Sequence, residues 1–160
     1  MKLYKIFNLI SLFLIIATGI YAGVEYPSLP EQIPTHFNLS GETDSWGSKA
    51  TIWILVAVSI FLYFLLSFLP KMDILATNNV MKNVELRQLM VNVLLFLVSL
   101  LFFYIVYETI QVGKGLKQNL GNGTFVFVAL ILLVSLGFNW YAAKKQKEEN
   151  NLNNALEEKK

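Results

Sequence analysis

The chain has 160 residues, of which 55% are hydrophobic and only 15% charged; an average soluble domain has about 25% charged residues. With no cysteine, it has no disulfide, thiolate metal site or cysteine nucleophile. A formal net charge of +2 gives no footing for a nucleic-acid partner.

The charges are gathered into short stretches, and the runs between them are apolar on every side, as lipid contact requires. A helix needs roughly 20 apolar residues to cross the hydrocarbon core. Four segments meet that length: Ile6 to Val24, Ile52 to Leu69, Leu89 to Ile110 and Thr124 to Ala143. The composition therefore predicts an all-α integral membrane fold, a bundle of four transmembrane helices with an ordered extracytoplasmic loop between the first two. Lys2 and Lys5 before the first segment, with Ala22 near its end, have the outline of a cleavable signal. The apolar run is longer than a signal h-region, and Ile20 is poorly suited to the position three residues before a cut, so the segment reads as a retained span.

Lysine and arginine mark cytoplasmic flanks. With both termini inside, ten of the thirteen basic residues are cytoplasmic; only Lys49, Lys114 and Lys117 fall outside. The organisation is then residues 1–70 with two spans and the outer loop, 71–143 with an inner linker and two further spans, and 144–160 as a charged cytoplasmic tail.

The outer loop, EYPSLPEQIPTHFNLSGETDSWGSKAT, runs from Glu25 to Thr51. Pro27, Pro30 and Pro34 favour an extended path. Ser40 and Gly41 suit a turn, and Ser48 or Thr51 a cap for the second span. Ile33, Phe37 and Trp46 are apolar anchors expected to seat the loop on the outer ends of spans three and four. The inner linker, Lys71 to Gln88, has the weak periodicity of a short interfacial helix. The second outer loop, Gln111 to Gly123, has four glycines and reads as a flexible connection. The tail from Lys144 reads as a solvated helix extension or as disorder.

The string Leu29-Pro30-x-x-Ile33-Pro34-Thr35-His36-Phe37-Asn38, then Gly41-Glu42-x-Asp44 and Trp46-Gly47-Ser48-Lys49, resembles the bacterial domain of unknown function 1648. The resemblance covers roughly Ile6 to Leu69. It implies a multi-pass protein of the bacterial plasma membrane, similar to SdpI-type immunity and signalling proteins that protect a cell from a secreted toxic peptide. Residues 70 to 160 depart from that type, which has more spans. The implied partners are the lipid bilayer and a secreted peptide or envelope component. The candidate loop motif is Pro30, Pro34, His36, Asn38, Gly41, Glu42, Asp44 and Lys49.

An imidazole and two carboxylates within nine residues, His36, Glu42 and Asp44, form the metal candidate. Set against it is a structural reading, in which His36 and Asp44 hydrogen-bond the loop itself. Glu108, an acid in the last turn of span three, reads either as an interfacial acid reaching water or as a partner for His36 or Lys49. Asn92 and Asn139 suit interhelical or interfacial hydrogen bonds, and Gly19 with Gly23 suits close helix packing. No nucleophile with a nearby base, no Walker loop and no cofactor motif is present. Three functions follow: a binding or protective membrane protein, a metal-dependent membrane enzyme, and a non-catalytic accessory subunit. The first is preferred, as a non-enzyme without a cofactor.

Overall fold

The computed structural model describes residues 2–38, 40–72 and 83–157. Among these, four helices are long and apolar enough to cross a membrane. They are α1 (Leu3–Glu25), α2 (Ile52–Phe68), α3 (Val84–Gly113) and α4 (Gly123–Glu157). α1, α3 and α4 extend their expected spans at both ends, whereas α2 starts at Ile52 as expected and ends one residue earlier, at Phe68. The tail continues α4 as helix to Glu157. The expected interfacial helix of the inner linker falls mainly on residues 73–82, outside the described residues.

The fold is not all-α. The loop between α1 and α2 holds an antiparallel hairpin of β1 (Gln32–Phe37) and β2 (Thr43–Ser48). Its turn explains why these residues pair. Asn38 Oδ1 accepts from the N–H groups of Ser40 and Glu42 at 2.9 and 3.0 Å. Gly41 supplies the left-handed backbone, with φ of 78°, a conformation that disfavours any residue with a Cβ. A one-turn 3₁₀ helix at each end joins the hairpin to the bundle, Tyr26–Ser28 after α1 and Lys49–Thr51 before α2. Pro27 opens the first. Ser48 caps the second by accepting from the Ala50 N–H at 3.3 Å.

The core at the hairpin end joins Ala22 of α1, Leu29 and Ile33 of the loop, Ile52 and Val56 of α2, and Val106 and Ile110 of α3. Ile33 is fully buried and is the hairpin's anchor. Trp46, expected as an anchor, is 53% exposed, because its strand lies on the side away from the bundle. The hairpin packs on α3 through β1; Ile33 stands next to Gly113. Gly19 and Gly23 face Val56 and Trp53, so the glycine pair serves the α1–α2 contact.

Small polar residues line the buried helix contacts. Ser11, Thr18 and Ser99 each donate to the carbonyl one turn back, at 2.8 Å. That satisfies the hydroxyl inside its own helix and leaves a small surface for close approach. At the end opposite the hairpin, polar side chains from three helices meet. Asn8 donates to Ser67 Oγ at 3.1 Å and to Asn92 Oδ1 at 2.8 Å, and the Tyr63 hydroxyl donates to Asn8 Oδ1 at 3.1 Å. Asn139 instead bonds its own helix, at Ser135 O. Nearby, Arg87 is buried in α3 and donates from Nε to the Pro70 carbonyl at 2.8 Å.

Candidate functional site

The strands bring His36 and Asp44 together. His36 Nδ1 and Asp44 Oδ1 are 2.6 Å apart, with side chains 68% and 45% exposed. Asp44 falls at an irregularity of the ladder, unpaired between Thr43 and Ser45, and Trp46 lies two residues further along β2, 53% exposed. The hairpin thus exposes an imidazole of β1 paired with a carboxylate of β2, and an indole two residues along β2.

Glu42 is not part of that group. Its carboxylate accepts from Asn38 Nδ2 at 3.0 Å, and its backbone bridges to Asn119 in the second loop. Among the described residues no group of three His, Cys, Asp or Glu side chains is placed to hold a metal ion. Asn38, Gly41 and Glu42 build the turn. Pro34 is buried beside Ile33, while Pro30 is exposed. Lys49 pairs with Glu31 at 3.0 Å and lies over the Tyr26 ring.

Glu108 meets neither His36 nor Lys49. It is 1% exposed; its Oε1 is 2.5 Å from Lys117 Nζ, and its Oε2 accepts from the Gly121 N–H at 3.1 Å. The second loop therefore folds over Glu108 and satisfies it, which is why a carboxylate tolerates this depth. The same loop is tied to the hairpin turn, where the Leu120 N–H donates to Gly41 O at 2.7 Å. A loop read as a flexible connection is thus hydrogen-bonded at both sides. A second ion pair, Lys114 with Glu25, joins the end of α3 to the end of α1. The hydrogen bond to Glu108 holds the Lys117 ammonium above its ordinary value of 10.5, and the carboxylate charge adds to this against the cost of desolvation.

The sequence reading missed the partners of Glu108, and one signal pointed to them. Lys117 is the second cation after the last turn of α3, on a loop short enough to return to Glu108. It also missed the Asn8 cluster, because a single amide in an apolar run says nothing of its partners.

Residues 13–60 match the family model described as Domain of unknown function (DUF1648). This stretch is similar to the DUF1648 domain. The DUF1648 match takes in the second half of α1, the whole hairpin and the first half of α2. It therefore contains both partners of the His36–Asp44 pair, whereas Glu108, Lys117 and the second loop lie beyond it. No curated protein and no solved structure matches the chain. The DUF1648 domain and the four apolar helices fit a multi-pass membrane protein.

Proposed function

We propose that this is a non-catalytic multi-pass protein of a bacterial plasma membrane, with both termini in the cytoplasm. In this reading the hairpin stands on the outer face and recognises a secreted peptide or envelope component, protecting the cell in the manner of SdpI-type immunity proteins. The distribution of lysine and arginine supports the orientation. The observation that carries the recognition role is Trp46. Trp46 is 53% exposed two residues along β2 from Asp44, on a strand whose partner is seated by the buried Ile33, so the hairpin is held against the bundle while its indole stays accessible. Tryptophan is enriched among the residues that dominate binding at protein interfaces.

The test is a deletion strain challenged with envelope-active peptides and complemented with wild type, Trp46→Ala or His36→Ala. The expected result is loss of resistance on deletion and rescue by the wild type alone. Unchanged resistance on deletion, or full rescue by both variants, would overturn the proposal.

A further inference from the structure

A cavity of about 600 Å³ opens at the end opposite the hairpin, between α1 and α2, with Gln88 and Asn92 of α3 behind it. Its two walls repeat one pattern. On α1, Lys5, Leu9 and Leu12 follow at helical spacing along one stripe. On the opposing wall, Phe64 and Phe68 of α2 are followed by Lys71 in the next turn. The two helices run in opposite directions, so both lysines stand at the mouth and the apolar side chains lie deeper. Leu9, Phe64 and Phe68 are exposed.

Among the described residues neither Lys5 nor Lys71 has a carboxylate partner; Lys71 lies over the Phe68 ring, 4.8 Å from its centroid. One turn in from Lys71, Ser67 accepts from Asn8 of the facing helix and ties the two walls together. Contact with bulk lipid needs only apolar residues. This groove adds two cations at its mouth and apolar walls below.

We infer that this groove is a docking site for one anionic phospholipid, with its phosphate between Lys5 and Lys71 and an acyl chain along Leu9, Leu12 and Phe64. Charge complementarity decides the class of occupant. A basic pocket between helices at a membrane surface suits an anionic headgroup, and the apolar walls need a chain attached to it. The inference rests on the membrane reading above and is independent of what the hairpin recognises.

The experiment uses the purified full-length chain in detergent, mixed with phosphatidylglycerol and phosphatidylcholine of the same acyl chains. Native mass spectrometry counts the lipid retained. Each lysine should contribute roughly five-fold, so wild type should prefer the anionic lipid by about 25-fold. Lys5→Gln with Lys71→Gln should abolish the preference. Leu12→Trp, which fills the groove, should lower retention of both lipids, and Lys144→Gln with Lys145→Gln should change nothing. Excess glycerol phosphate should not displace the lipid. Equal retention of the two lipids by wild type, an unchanged preference in the double variant, an equal loss in the tail control, or displacement by glycerol phosphate would each overturn the docking site. A chain found in the soluble fraction without detergent would instead overturn the membrane reading.

Discussion

Gly41 is held twice over. Its φ is 78°, and a Cβ built on it would stand 2.7 Å from the Leu120 carbonyl oxygen. Both the left-handed backbone and the close approach of the second loop exclude a side chain. Gly41→Ala should therefore destabilise the hairpin end by about 1–3 kcal/mol. Gly19→Ala, whose new Cβ would meet Val56 at an ordinary 3.8 Å, should stay within about 0.5 kcal/mol of wild type. Melting in detergent compares the two, and equal melting temperatures would contradict the assignment. Lys117 yields a pH prediction at the same scale. Its folded pKa is raised above 10.5 by Glu108. The pair's contribution is then fully present below 10.5 and is lost as pH rises through the folded value. Glu108→Gln should lower the melting temperature at neutral pH and flatten the alkaline fall relative to wild type. Parallel curves for the two proteins between pH 8 and 12 would show that the pair contributes nothing.

The hairpin shows where reading the sequence succeeds and where it stops. Prolines and the Ser40-Gly41 turn were legible as an extended path that reverses, and His36 with Asp44 was legible as a pair. Which apolar residue turns inward was not. Ile33, Phe37 and Trp46 all read as anchors, but the face each presents depends on strand register, and the ladder is irregular between Pro34 and Phe37. A one-residue shift exchanges the two faces of a strand. Glu42 was grouped with His36 by distance along the chain, although the Asn38 turn directs its carboxylate elsewhere. If the proposed recognition surface works as a unit, His36→Ala and Asp44→Ala should each reduce peptide resistance, and the double variant should lose less than the sum. Strict additivity would separate the two residues. Limited proteolysis of spheroplasts gives a second check. The hairpin, tied at Gly41 and Ile33, should be cut slowly between Glu31 and Lys49, and rapid cutting there would argue against a seated hairpin.

For the whole molecule, the four helices were legible because apolar run length is a direct physical requirement, whereas their mutual arrangement was not. Uniformly apolar spans carry no stripe to mark the buried side. Here the buried side is marked by Ser11, Thr18, Ser59 and Ser99. The proposed topology predicts that reporter fusions after Lys49 report outside, and fusions after Lys82 and Lys160 inside. An outside signal at Lys160 would require a different number of crossings. The composition of the hairpin-end core also has a bearing on biogenesis. Ala22, Leu29 and Ile33 leave the ribosome long before Val106 and Ile110, yet these residues form one cluster. The first helical pair and its hairpin are thus synthesised before the wall that completes their seat. The stretch that carries the DUF1648 match is consequently a recognisable unit of sequence whose core is completed by residues outside it. A gene split after Met72 should yield an N-terminal product that is degraded when made alone and persists when the remainder is made in the same cell.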